Sequence, residues 1–542
     1  MSNEKKPFAI TLDVGSSLAN KTGTWRNERP SYVHRLPPCN NACPAGEDIQ
    51  GWLYDAEAKN YESAWRHLVK NNPFPAVMGR VCYHPCQTAC NRVQVDEAVG
   101  INSVERFLGD EAIAQGWKFD APEVSTGFKV LVVGSGPSGL TAAYHLARMG
   151  HSVTIRESAS LPGGMMRYGI PAYRLPREII DAEIARIVEL GVVIECDVKV
   201  SDIPAAFNEG FNAIFVAVGA HLGKRAYIPA GDSARILDAV QMLRSTEDGD
   251  PPLLGKRVVV YGGGNTAMDA ARTAKRLGAR EAIVVYRRNR EKMPANEIEI
   301  NEALEEGVVM HWLSTISNVE SDRVTIEKMV LDENGFPQPT GETEVLEADS
   351  VVLALGQEAD LTLLNNLNGV ELDDGVVAVD EMMMTGMPGL FAGGDMVSGE
   401  RTVTNGIGHG KLAAHNIDSW LRNEQWIHPE RPPLATFDRL NPWYYADAPK
   451  SVRPRLDAAR RADTFDEVVQ GLDAETALFE ARRCMSCGNC FGCDNCFGVC
   501  PDNAVIKHAD GTYEFDLDFC KGCGLCAAEC PAGAIDMNLE LN

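Results

Sequence analysis

The sequence has no run of about 18 consecutive apolar residues, so it predicts no membrane-spanning helix. From Met1 to Asp13 it is mixed polar, without the apolar core of a signal peptide. Positive charge is scarce: 51 Lys and Arg stand against 76 Asp and Glu, a formal net charge of −25. A chain of that sign repels phosphate backbones, which excludes general nucleic-acid binding. Cysteine is almost missing from the middle, where only Cys196 lies between Cys90 and Cys484. It follows the apolar run Val192-Val193-Ile194, which reads as ordinary burial.

What is present is a chain of 542 residues, 45% apolar and 23% charged. That is a globular composition long enough for several domains. Fifteen of the sixteen cysteines fall into two groups, five from Cys39 to Cys90 and ten from Cys484 to Cys530. Clustered Cys-x-x-Cys spacing in a large chain reads as metal or iron–sulfur ligands before disulfides. The expected location is the cytoplasm, where thiolates stay reduced.

The strongest pattern is at the C-terminal end. Cys490-x2-Cys493-x2-Cys496-x3-Cys500-Pro501 recurs 30 residues later as Cys520-x2-Cys523-x2-Cys526-x3-Cys530-Pro531. This is the bacterial two-cluster ferredoxin spacing, in which the fourth cysteine of each run crosses to the other cluster. One [4Fe–4S] centre is therefore expected on Cys490, Cys493, Cys496 and Cys530, the other on Cys500, Cys520, Cys523 and Cys526. Zinc knuckles are the competing reading, but zinc sites use two x2 pairs set well apart. Between the runs, Val505 to Phe515 reads as a hairpin turning at Asp510-Gly511.

Two dinucleotide folds are expected in the middle. The run Lys129 to Val133 reads as a buried strand, followed by Gly134-x-Gly136-x-x-Gly139 and a helical stretch. A second strand ends at Glu157, 18 residues past Gly139. Glycines of this kind let backbone N–H groups approach a pyrophosphate, and the acid accepts hydrogen bonds from a ribose. The second copy is Arg257 to Tyr261, then Gly262-x-Gly264-x-x-Ala267. Its next strand ends in Tyr286-Arg287-Arg288, with no acid at the ribose position. Guanidinium forks there suit a 2′-phosphate, so Arg287 and Arg288 favour NADP(H) over NAD(H). A solvated basic strand end is the plainer alternative. Further on, Leu390 to Asp395 forms a strand with the turn Gly393-Gly394 and the acid Asp395, and Thr404 to Lys411 opens a helix. This is similar to the closing motif of two-dinucleotide-domain flavoproteins, which implies an FAD domain split around an inserted nicotinamide domain. His409 and His415 lie on that helix, where packing or a flavin-edge role is expected rather than acid–base catalysis.

Gly163 to Pro171, with Gly164 and Arg167, follows the first fold, and Arg174-Leu175-Pro176 comes next. With Gly262-Gly263-Gly264-Asn265-Thr266-Ala267-Met268-Asp269 and Val285 to Arg288, the chain resembles the NADPH-dependent glutamate synthase small-subunit family. That family includes the reductase half of dihydropyrimidine dehydrogenase and the large subunit of the bifurcating NADH-dependent ferredoxin:NADP oxidoreductase. The resemblance covers about residues 30 to 430 and implies FAD, a pyridine nucleotide held by residues such as Asn265 and Thr266, and N-terminal [4Fe–4S] centres. It places one centre on Cys43, Cys82, Cys86 and the carboxylate of Glu105. The other family centre takes an upstream Cys-x2-Cys pair with residues matching Cys39 and Cys90, but Ser31 and His34 stand where that pair belongs. The unassigned cysteines are Cys39, Cys90, Cys484 and Cys487, and the last two have the missing spacing. A composite centre on these four is one reading; unligated thiols, or His34 with water, are the others.

The fold expected is multidomain. It has an extended arm at 1–30, a helical iron–sulfur domain at 31–120, and an α/β flavoprotein core. The core comprises FAD parts at 121–249 and 351–430 around a nicotinamide domain at 250–350. A linker at 431–483 and an α+β ferredoxin-like domain at 484–542 follow. The expected activity is electron exchange between NADP(H) and a partner, with FAD taking a hydride's two electrons and passing them on singly to four [4Fe–4S] centres and no catalytic side chain required. A 2-oxoacid:ferredoxin oxidoreductase-like partner fits the ferredoxin tail. A glutamate synthase large subunit or free ferredoxin are alternatives, as is a non-catalytic wiring subunit binding nucleotide structurally.

Overall fold

A computed structural model describes residues 21–122, 124–224, 228–230, 235–427 and 430–540. Residues 1–20 of the expected arm lie outside it.

The N-terminal region is helical because its apolar residues recur at helical spacing. In Ile49–Glu57 the buried positions are Ile49, Trp52, Leu53 and Ala56, and Asp48 caps the first turn through the Gly51 N–H. Tyr61–Val69 buries Ala64, Trp65, Leu68 and Val69 in the same way. Helices Pro75–Val81 and Ile101–Gln115 complete the domain. They cross so closely that a side chain at Gly79 would meet the Arg106 backbone at 2.4 Å.

Two five-stranded sheets form the core. In the first, the order is Leu390–Ala392, Ala213–Val216, Lys129–Val133, Ser152–Arg156, Val193–Glu195, all parallel. Strand Leu390–Ala392 returns from far down the chain to pair with Ala213–Val216, so this fold is split. In the second, the order is Val309–Trp312, Glu281–Tyr286, Arg257–Tyr261, Ser350–Leu353, Ile236–Asp238.

This corrects the domain boundaries. Ile236–Asp238 and Ser350–Leu353 belong to the second sheet, not to the flanking FAD parts. The chain crosses between folds at the antiparallel pair Leu222–Gly223 and Gln357–Glu358. A short apolar strand fits either parallel sheet equally well, so alternation of strand and helix does not say which one it joins. Another element unforeseen from the sequence is an antiparallel meander within the second fold, Ser314–Val319, Arg323–Leu331 and Pro337–Glu347.

The stretch 431–483 is more than a spacer. It carries helix Ala474–Arg482 and is fastened along its length. Glu467 pairs with Arg80 and Arg106, Arg453 donates to the Gly79 carbonyl, and Arg455 and Arg461 both reach Glu305. The C-terminal module has the expected hairpin, Val505–Lys507 against Tyr513–Phe515. Its last strand, Ile535–Leu539, pairs antiparallel with Glu28–Tyr32 near the other end of the chain. No helix among the described residues is long and apolar enough to cross a membrane.

Candidate functional site

A cavity of about 1100 Å³ runs from the first dinucleotide fold to the start of the helix in the second. Of the residues singled out in the sequence, Gly134, Gly136, Glu157, Gly164, Asn265, Thr266, Gly394 and Asp395 line it. Gly134 needs its positive φ of 102° and sits 2.5 Å, from where a side chain would start, to the Ala217 carbonyl. At Gly136 and Gly264, by contrast, an added Cβ would meet nothing within 4 Å. Both glycine turns are open cradles at helix N-termini, the shape a pyrophosphate needs. Gly139 is different: its Cβ would strike the Gly134 carbonyl at 2.0 Å, so it permits helix–strand packing. Glu157 is held ready, accepting from the Ser135 N–H (2.8 Å), the Ser135 hydroxyl (2.7 Å) and the Ala159 N–H (2.7 Å). Burial pushes the Asp395 carboxyl up to about 6, partly offset by Arg401.

Arg167 does not face the nucleotide cavity. It is buried, donates to the Pro162 carbonyl at 2.6 Å and pairs with Asp181. Thr404 also turns elsewhere, donating its hydroxyl to Cys82 Sγ at 3.3 Å. His409 Nδ1 accepts from the Gly394 N–H at 3.2 Å, a packing role. His415 stacks on Trp426 with centroids 4.9 Å apart. Cavity residues not singled out as ligands from the sequence include Arg174, Arg244, Gln357 and Arg401. Gln357 reaches from the first fold to Thr266 of the second at 3.4 Å. Arg174 pairs with Asp269 at 2.8 Å and with Glu299, locking the two folds together. Only Arg174 had a sequence signal, through the Arg174-Leu175-Pro176 motif.

At the end of the second strand, Arg287 is exposed and Arg288 half-buried. The Arg288 guanidinium lies 5.9 Å from the ring centroid of Phe336, on the meander's turn, and its Nε is buried with no hydrogen-bond partner. Phe336 thus props the fork assigned to the 2′-phosphate. Phe336→Ala is expected to raise KM for NADPH about two- to fivefold and to leave KM for NADH and both kcat values unchanged. Steady-state kinetics with the two nucleotides check this; an equal rise for both would refute it.

The thiols form four groups. Cys39, Cys90, Cys484 and Cys487 ring one small cavity of about 20 Å³. Cys490, Cys493, Cys496 and Cys530 ring another of about 20 Å³, and Cys500, Cys520, Cys523 and Cys526 a third of about 20 Å³. His34 is not in the first wall; its Nδ1 lies 3.3 Å from Asn489. The fourth group is Cys43, Cys82, Cys86 and Glu105; burial raises the three thiols and the Glu105 charge raises them further. Glu105 is 6% exposed and accepts from Asn72 at 3.0 Å, which also donates to the buried Glu47. Among the described residues, no three His, Cys, Asp or Glu side chains converge as a single metal ion needs. Thiols spaced around a cavity suit a four-iron cubane instead.

Burial lifts Cys82 and Cys484 to about 12 and Cys487 to about 11. Buried thiolates this close need positive charge among them, which iron would supply.

The groups are in series. Val81 and Tyr83 line the nucleotide cavity, and Cys82 lies between them. Cys39 lies in the short helix Pro38–Ala42 and Cys43 caps its end, while Cys86 lies in the turn Pro85–Thr88 and Cys90 follows just after it. Each short helix therefore serves two groups at once. Helix Val403–Arg422 packs on the same loop, since a Cβ at Gly408 would meet the Pro44 carbonyl at 2.3 Å. Tyr445 lies between the next two groups, near Cys484, Cys487, Cys493 and Cys530, with its hydroxyl on the Met485 carbonyl at 2.9 Å. Tyr32 stands between the last two, its hydroxyl 3.3 Å from Cys496 and its ring stacked on Phe515. Cys196 joins none of these; burial raises its thiol.

Residues 128–410 match the model of the pyridine nucleotide-disulphide oxidoreductases. Residues 28–117 match dihydropyrimidine dehydrogenase domain II, 4Fe-4S cluster, and residues 489–534 match the 4Fe-4S dicluster domain. The chain is 35% identical over 502 residues to the NADP(+)-dependent formate dehydrogenase subunit beta of Moorella thermoacetica, covering 83% of this chain and 70% of that protein. It is 33% identical over 525 residues to the NADPH-Fe(3+) oxidoreductase subunit beta of Geobacter sulfurreducens, covering 85% and 77%. It is also 33% identical over 389 residues to the NAD-dependent dihydropyrimidine dehydrogenase subunit PreT of Escherichia coli, covering 71% and 91%.

Proposed function

The chain belongs to the pyridine nucleotide-disulphide oxidoreductases, and from that premise we propose that it is the NADP(H)-linked subunit of a larger redox complex. It is an NAD(P)H-dependent flavin and iron–sulfur oxidoreductase with 4Fe-4S domains at both ends of its core. FAD, when bound, exchanges one hydride, an electron pair, with the nicotinamide and single electrons with the iron–sulfur centres.

The protein's own residues define the path. The open turns at Gly136 and Gly264 would hold the two pyrophosphates, and Glu157 the flavin-side ribose. Arg287 and Arg288 would take the 2′-phosphate. Each four-donor group would hold one [4Fe–4S] centre, in the order Cys43/Cys82/Cys86/Glu105, Cys39/Cys90/Cys484/Cys487, Cys490/Cys493/Cys496/Cys530, Cys500/Cys520/Cys523/Cys526. The observation that carries the reading is the 3.3 Å hydrogen bond from Thr404 to Cys82, because Val81 and Tyr83, on either side of that thiol, are wall residues of the nucleotide cavity. One wall serves both sites.

Relatives named as beta subunits support a catalytic partner chain. The glutamate synthase resemblance extends to the shared core, and the ferredoxin-like end favours a partner that trades single electrons. A 2-oxoacid oxidoreductase remains one such partner class, and the formate and Fe(3+) systems of the relatives are others.

Anaerobic mixing with NADPH tests the reading. The purified protein is expected to bleach its flavin rapidly and to turn over between NADP(H) and a viologen dye. Bound FAD without nicotinamide turnover would leave only a wiring role. Thr404→Val, which removes a hydrogen bond to a thiolate, is expected to shift the first centre's potential by on the order of 60 mV while flavin bleaching continues. A potentiometric titration unchanged in the variant would count against the shared wall.

A further inference from the structure

We infer that the surface around Trp443 and Tyr444 is the docking site for a one-electron redox protein with a basic face; this rests on the electron-transfer reading above. Trp443 is 88% exposed, more than any other large apolar side chain among those described, and Tyr444 is 45% exposed. Large aromatic residues on a surface are the usual anchors of an interface.

Their position is the telling part. Tyr444 donates to Glu529, the residue before Cys530, and its hydroxyl lies within reach of the Cys493 charge. Asn441 fixes the segment further, with its N–H on the Pro531 carbonyl at 3.2 Å and its side chain on the Ala528 carbonyl at 2.8 Å. A Cβ at Gly533 would meet the Arg439 carbonyl at 2.3 Å, so the segment is seated tightly on the cysteine loop. The next residue, Tyr445, points inward between two thiol groups. Three consecutive aromatics therefore run from solvent to the gap between the second and third groups. Cys490 and Cys493, of the third group, are themselves exposed.

Charge selects the occupant. From Cys484 to Asn542 there are nine Asp and Glu against two Lys and no Arg. Asp438 and Asp447 are exposed on either side of the aromatic segment. An apolar anchor within an acidic field fits a partner whose electron-accepting edge is ringed by Lys or Arg. A second copy of this chain, equally acidic, would be repelled.

Cytochrome c, a haem protein with a lysine-rich face, serves as the probe. Two ferric haems are reduced to ferrous as one NADPH is oxidised to NADP⁺ and H⁺. Trp443→Ala in the full-length holoprotein is expected to lower kcat/KM for cytochrome c by at least about tenfold. Turnover between NADP(H) and benzyl viologen, which needs no docking, is expected to hold. Trp443→Phe should recover most of the loss, and the wild-type rate should fall steeply with added salt. An unchanged cytochrome rate in Trp443→Ala overturns the proposal. An equal loss with viologen overturns it too, because Trp443 would then support the cluster loop. A change in the solution mass of the isolated chain would assign the patch to a second copy. Wild-type protein inert towards both acceptors would instead sink the functional reading itself.

Discussion

A Cys484→Ala, Cys487→Ala double variant is expected to lose about four iron atoms per chain and to keep its flavin. The two thiols lie on the wall of the cavity they share with Cys39 and Cys90, at opposite ends of the sequence. Burial and neighbouring thiolate charge raise Cys39, Cys484 and Cys487, so an incomplete set has no stable filled state. NADPH should still bleach the flavin at the wild-type rate, because the first thiol group adjoins the nucleotide cavity without them. Transfer onward to an acceptor at the ferredoxin-like end should fall by at least about 100-fold. Iron counting, flavin absorption and single-turnover reduction check the three parts separately. Full iron content in the double variant would end the composite-centre reading.

The second large effect concerns stability. Arg272 is fully buried; it donates to Glu306 through Nε (3.0 Å) and Nη2 (2.7 Å) and to Glu302 through Nη1 (2.8 Å). Its guanidinium lies over Tyr173 at 4.8 Å. Arg276 shares Glu306 and also donates to the Thr464 carbonyl of the wrapping segment. Arg272→Leu strands buried carboxylates and is expected to cost about 3–5 kcal/mol. For a unit of this size that is a fall of roughly 6–20 °C in Tm. Arg272→Lys should recover little, since an ammonium cannot make the forked contact. Because Arg174, Asp269 and Glu299 continue the network between the two folds, loss of nicotinamide-dependent activity is expected to precede unfolding. Differential scanning calorimetry checks the stability; an unchanged midpoint would show that the carboxylates find other partners.

The sequence announces this molecule unevenly, for physical reasons. Ligand spacing is local chemistry, so the groupings of the eight ferredoxin-type cysteines could be written down from sequence alone, and the same eight surround two cavities. Glycine turns are local as well, and Gly134, Gly136 and Gly264 carry the open or strained geometry their motifs require. Strand membership is not local. Residues 236–238 and 351–353 fall in stretches expected for the FAD parts, and only tertiary pairing assigns their strands to the other sheet. Side-chain direction is not local either. Arg167 and Thr404 sit in the right motifs, yet one turns to Asp181 and the other to Cys82. The role of Phe336 had no motif to announce it, because it depends on a hairpin turn reaching across to Arg288.

The pairing of Glu28–Tyr32 with Ile535–Leu539 has a consequence for biosynthesis. Arg26 and Arg35, beside the first strand, pair with Glu540 and Asp536 on or beside the last. A nascent polypeptide cannot close this seam until residues 535–539 have left the ribosome. The group of Cys39, Cys90, Cys484 and Cys487 waits likewise until residue 487 has emerged. A product cut short before Cys484 would lack two of its four thiols.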